Sequence, residues 1–76
     1  MITVRYFAGA RAAAGVTQAE LPDGSSVAEL TATSLPQLAK VLSAASFLVD
    51  GTAWRDRDEP LPAGCTLDVL PPFAGG

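Results

Sequence analysis

The sequence predicts an α+β fold: one mixed β-sheet packed on one face by a helical block, in the order β-β-α-β-β-β. Three observations carry this. Runs of β-branched and aromatic residues alternate with period two near both ends of the chain, at Ile2-Thr3-Val4-Arg5-Tyr6-Phe7-Ala8 and at Thr66-Leu67-Asp68-Val69-Leu70. A helix-start signature, Ser26-Val27-Ala28-Glu29, opens the middle of the chain. The 76 residues are 49% hydrophobic and 17% charged, which suits one small core and is too apolar for a disordered segment.

The elements follow in order. The first strand places Ile2, Val4 and Tyr6 on one face and turns Phe7 to the other. Gly9 to Gly15 reads as an alanine-rich connection containing Arg11. Val16-Thr17-Gln18-Ala19-Glu20-Leu21 alternates well enough for a second strand in a hairpin with the first, and Pro22-Asp23-Gly24 is turn chemistry. In the capping box that follows, the Ser26 side chain takes the backbone N–H three residues on and Glu29 reaches back, so a helix is expected over residues 26 to 32. Leu35-Pro36-Gln37 restarts it, because proline suits a first turn and breaks an interior. A second helix over 35 to 43 results, with Leu30, Leu38, Val41 and Leu42 facing the sheet. Ser46-Phe47-Leu48-Val49 is a third strand, Asp50-Gly51 a tight turn and Thr52-Ala53-Trp54 a short return strand. Pro60-Leu61-Pro62-Ala63-Gly64 breaks the chain before the last strand. The strong first and last strands belong side by side at the centre of the sheet, as in a β-grasp fold.

Composition excludes whole classes of function. Five Lys/Arg against eight Asp/Glu give a net charge of −3, which repels phosphate backbones and argues against a nucleic-acid partner. No apolar run approaches the roughly 20 residues of a bilayer span, and no basic-then-apolar leader opens the chain. Cys65 is the one cysteine, so no internal disulfide forms, and the expected compartment is reducing and cytoplasmic. There is no histidine, which removes Ser-His and Cys-His nucleophile pairs and imidazole metal ligands. Asp56, Asp58 and Glu59 interleave with Arg55 and Arg57 in what reads as a solvated loop, and no metal site is assigned. Cys65 has no nearby cation in sequence to activate its thiol, so its role is read as structural.

One segment looks built for chemistry. Pro71-Pro72 lacks backbone N–H groups, ends the sheet ladder and projects Phe73-Ala74-Gly75-Gly76 as an extended arm. Gly75-Gly76 carries no Cβ and suits a channel too narrow for other residues. Six extended residues span on the order of 20 Å, enough to enter a buried site while the globule stays outside. The chain therefore divides into a folded domain, 1–70, and a tail, 71–76. Such a domain must dock, and parity suggests where: Phe7 and Leu70 both turn to the face away from the helices, an apolar pair that Ala53 or Trp54 extends.

Taken together, Met1-Ile2-Thr3-Val4-Arg5-Tyr6-Phe7-Ala8 with Arg11 and Gly15, then Val49-Asp50-Gly51, Pro60-Leu61-Pro62-Ala63-Gly64 and Val69-Leu70-Pro71-Pro72-Phe73-Ala74-Gly75-Gly76, resemble the ubiquitin-like sulfur-carrier family. The resemblance spans essentially the whole chain and is nearest to the molybdopterin-synthase small-subunit type. Asp50-Gly51 stands where the family often has Asn-Gly, and Cys65 where an acidic residue is common. The resemblance implies a β-grasp protein that is non-catalytic alone. An adenylating enzyme similar to the first enzyme of ubiquitin activation uses Mg-ATP to activate the carboxylate of Gly76. A thiocarboxylate follows, which donates sulfur to a pyranopterin precursor inside the synthase large subunit. No cofactor is bound by the carrier itself. Arg11 matches a family arginine and is the candidate to meet acids of a partner. Two alternatives remain open: a sulfur carrier for thiazole or cysteine biosynthesis, and a ubiquitin-like protein modifier, for which Lys40 is the one internal lysine.

Overall fold

In the computed structural model, residues 1–72 are described. Five strands, β1 (Ile2–Tyr6), β2 (Gln18–Leu21), β3 (Ser46–Val49), β4 (Thr52–Trp54) and β5 (Thr66–Leu70), form one mixed sheet in the order β2-β1-β5-β3-β4. β1 and β5 run parallel at its centre, and the β1–β2, β3–β4 and β3–β5 pairs are antiparallel. Three helices, α1 (Ala8–Ala14), α2 (Val27–Thr33) and α3 (Pro36–Ala44), complete the elements of the described residues. The expected α+β arrangement, a ubiquitin-like β-grasp, is what forms. Among the described residues, no helix is long and apolar enough to cross a membrane.

Local chemistry accounts for most of the boundaries. Ser26 caps α2, its Oγ accepting from the Glu29 N–H at 3.1 Å. Glu29 reaches back to the Ser26 hydroxyl at 3.5 Å, so the return half of the capping box closes on the side chain and not on the backbone. Pro36 occupies the first turn of α3, where its missing N–H costs nothing. Asp50 and Gly51 both take positive φ, 47° and 85°, the pairing that a two-residue turn of matching twist requires between β3 and β4. The Asp50 side chain then accepts from the Thr66 N–H at 2.9 Å and ties this turn to the start of β5.

The core lies between the sheet and the helices. Ile2, Val4, Tyr6, Phe47, Val49, Leu67 and Val69 from the strands meet Val27, Leu30, Leu38 and Leu42 from α2 and α3. Leu38 and Leu42 are one turn apart on α3 and present one face, with Val41 packed at the margin. Fully burying a leucine such as Leu42 contributes roughly 1.5–3 kcal/mol.

Three expectations are corrected. Gly9 to Gly15 is not an irregular connection: residues Ala8–Ala14 form α1, with Ala10 buried and Gly15 closing it in the left-handed conformation, its N–H bonded to the Arg11 carbonyl at 2.9 Å. Alanine has the highest helix propensity, and this holds the segment helical without an N-terminal side-chain cap. The first strand accordingly ends at Tyr6 instead of Ala8, and the second begins at Gln18 instead of Val16. Arg57 is not simply a solvated loop residue. Its guanidinium donates to the carbonyls of Leu42, Ser43 and Ala45 at 3.0, 3.3 and 3.3 Å and lies 5.1 Å from the centre of the Phe47 ring. It thereby adds a donor to carbonyls at the end of α3, of which that of Leu42 also takes the Ala45 N–H. Asp56, by contrast, makes only a local turn, accepting from the N–H groups of Asp58 and Glu59.

Candidate functional site

Strand register decides which side chains leave the core. Thr3 and Arg5 of β1, Asp68 and Leu70 of β5, and Leu48 of β3 alternate with the buried residues and therefore share the sheet face turned away from the helices. Phe7 continues that alternation just past β1. It is 38% exposed, and its extended backbone lets the carbonyl begin α1 by accepting from Ala10 and Arg11. Leu70 is half-buried opposite Ser46, and Pro71 follows it directly, so Pro71 and Pro72 stand at the same end of the sheet as Phe7. The outward pair expected from parity, Phe7 and Leu70, is thus present as geometry.

Ala53 and Trp54 separate. Ala53 pairs with Leu48 and is exposed on the outward face, where it extends the apolar surface. Trp54 pairs with Phe47 and packs against the core on the opposite face. The expectation that Trp54 extends the Phe7–Leu70 patch is therefore corrected. Its indole Nε1 is buried without a hydrogen-bond partner among the described residues. Trp54 instead borders a recess of about 320 Å³ with Arg55 and Arg57. Arg11 is exposed on α1, one turn beyond Phe7. Of the expected tail, Pro71 and Pro72 are described, and Phe73, Ala74, Gly75 and Gly76 lie outside the described residues.

The centre of the outward face is an ion pair that the sequence reading did not find. Arg5 Nε donates to Asp68 Oδ1 at 2.6 Å and Nη2 to Oδ2 at 2.9 Å, a bidentate geometry across the parallel β1–β5 pair. The Arg5 side chain is 50% exposed and that of Asp68 only 11%. The hydrogen bonds and charge of Asp68 hold the Arg5 guanidinium protonated even more firmly than usual. Arg5 also lies 5.7 Å from the centre of the Phe7 ring, so the cation touches both its carboxylate across the strands and an aromatic along its own.

Cys65 offers no rival chemistry. It is 3% exposed, and burial first, then the charge of Asp50, push its thiol above the ordinary range, away from the reactive thiolate.

The ThiS family matches residues 4–76, nearly the whole chain. The chain belongs to the ThiS family. It is a ubiquitin-like sulfur carrier of the MoaD/ThiS type. No curated protein matches it by sequence. Among solved structures it is similar to a protein assigned as molybdopterin converting factor subunit 1 from Pyrococcus furiosus, with 28% identity, a TM-score of 0.68, and 95% of this chain and 97% of that chain covered. The fold is shared with SAMP1 from Haloferax volcanii, at 22% identity and a TM-score of 0.70 over 99% of this chain and 98% of that one. It is shared equally with a complex of subunits 1 and 2 of molybdopterin-converting factor from Helicobacter pylori, at 21% identity and a TM-score of 0.68 over 99% and 97%.

Proposed function

We propose that this chain is the sulfur-carrying small subunit of molybdopterin synthase, with Gly76 as the group that carries sulfur. The observation that supports it most is the 28% identity to the Pyrococcus furiosus subunit 1 over 95% of this chain, combined with Leu70-Pro71-Pro72 ahead of Gly75-Gly76.

A carboxylate resists nucleophiles because its leaving group would be oxide. Transfer of AMP from Mg-ATP, bound by an adenylating partner, makes an acyl-adenylate at Gly76 and releases pyrophosphate. A sulfur nucleophile then displaces AMP and leaves a thiocarboxylate. The chain's own contribution is placement. β5 is anchored in the middle of the sheet, so the tail starts from a rigid point, and docking through Phe7 and Leu70 turns sulfur donation into an effectively intramolecular step. The partners are the adenylating enzyme and the synthase large subunit, and the reaction is cytoplasmic.

Reconstitution with the adenylating enzyme, ATP, a sulfur donor, the large subunit and the pyranopterin precursor tests this reading. The intact chain should convert the precursor to the dithiolene product. Deletion of Gly75 and Gly76 should abolish conversion with thermal stability unchanged. Sulfur loading with no transfer to the precursor, but transfer to an acceptor of thiazole or cysteine biosynthesis, would replace this pathway with another of the same carrier class.

A further inference from the structure

The Arg5–Asp68 pair is not needed to cover the core. It lies on the face away from the helices, and a bare apolar patch there would serve docking by burial alone. The register nevertheless places the two residues side by side, with Gln18 opposite Arg5 on one flank and Leu48 opposite Asp68 on the other. A guanidinium has five N–H donors. Asp68 engages the Nε donor and one from Nη2, in a fork that fixes the plane of the group, and Phe7 lies beside it. Three donors then remain for whatever covers this face. A covered donor without an acceptor costs the full desolvation of that group, so a wholly apolar partner surface would bind poorly.

We propose that Arg5, held by Asp68, is a specificity-determining residue of the docking face. It selects a large-subunit surface that is apolar around a small set of neutral acceptors, main-chain or amide carbonyls, opposite the guanidinium. This rests on the docking reading given above. A neutral acceptor is favoured over a carboxylate on charge grounds. Asp68 already balances Arg5, a second carboxylate would be pressed against the first, and the whole chain carries a net charge of −3 that repels acidic surfaces. Arg5 and Asp68 thus work as a pair in which the acid positions and the base is read.

The test measures dissociation constants for the purified synthase large subunit at low and high salt, using the full chain and four variants. Phe7→Glu probes the docking reading itself and should weaken binding by more than about a hundredfold. The double variant Arg5→Leu/Asp68→Leu keeps the face apolar and is expected to fold, since replacing such a pair by apolar residues is often neutral for stability. It should still bind about tenfold more weakly, because the partner's acceptor loses its donor. Arg5→Lys should lose a comparable factor, since an ammonium cannot reproduce the fork, and Asp68→Asn should lose part of it by loosening the guanidinium. Salt should change the wild-type and double-variant affinities by the same factor to within about threefold, because a neutral acceptor adds no ion pair at Arg5 and any ion pair made elsewhere, as at Arg11, is common to both. Double-variant binding equal to wild type, with Phe7→Glu still impaired, overturns the role of the pair and leaves the docking face standing. Unchanged binding by Phe7→Glu overturns the docking face. A steeper loss of affinity with salt for wild type than for the double variant overturns the neutral acceptor.

Discussion

The two faces of the sheet are built from the same strands and serve opposite ends. On the inner face, Ile2, Val4, Leu67 and Val69 are fully buried against the helices, and the side chains there are uniformly apolar down to the Tyr6 ring. On the outer face the same β1 and β5 present the paired Arg5 and Asp68 one row before Phe7 and Leu70. A core gains from area removed from water and gains nothing from a charged pair that must be desolvated. The difference teaches that stability resides in one face, which leaves the other free to be specified by contact with something else.

Deleting matched leucines on the two faces tests this division most severely. Leu67→Ala should cost about 2–5 kcal/mol in denaturant unfolding, because Leu67 is fully buried in the central strand and leaves a cavity. Leu70→Ala, three residues along the same strand and half-buried on the outer face, should cost less than about 1.5 kcal/mol while weakening large-subunit binding. Equal losses of stability would break the comparison. A smaller effect sharpens it from the helical side: Ser26→Ala removes the acceptor for the Glu29 N–H and should cost about 1 kcal/mol, with docking unchanged.

The smallest effect concerns acid. The Gly64 N–H, at 3.0 Å, and then the chain's amino group, at 3.2 Å, hold the Asp23 carboxyl below its ordinary value. A depressed carboxyl contributes stability at and above its unfolded pKa of about 3.9, and that contribution is lost as pH falls through the lower folded value. Stability curves of wild type and Asp23→Asn should therefore differ slightly at neutral pH and converge in strong acid. A gap that widens on acidification would contradict the assignment.

Much of the fold was legible because local signals agreed with one another. β3, β4 and β5 begin and end where alternation and turn residues place them, and Ser26 and Pro36 mark the helix starts as their chemistry requires. α1 was not, since a seven-residue alanine-rich stretch has no capping side chain and little apolar periodicity. The alanines themselves, followed by Gly15 as a stop, were the signal available. Arg57 was missed because its partners at the end of α3 become neighbours only once the chain has folded. Trp54 went to the wrong face because a three-residue strand has too little alternation to show parity, which is set by pairing with Phe47. Phe7 and Leu70 followed from strand parity alone. Arg5 and Asp68, 63 residues apart, meet only through the parallel register of β1 and β5. Once that register is assumed, the pair can be read directly from sequence.

The central claim is that Gly76 bears the transferable sulfur. Intact-mass spectrometry of the full chain, after incubation with the adenylating enzyme, ATP and a sulfur donor, tests it most directly, with fragmentation to locate any change. The account predicts a mass gain equal to exchange of one oxygen for sulfur, confined to the C-terminal fragment and absent when ATP is omitted. An unchanged mass under conditions where ATP is consumed, or sulfur located on Cys65, would contradict it.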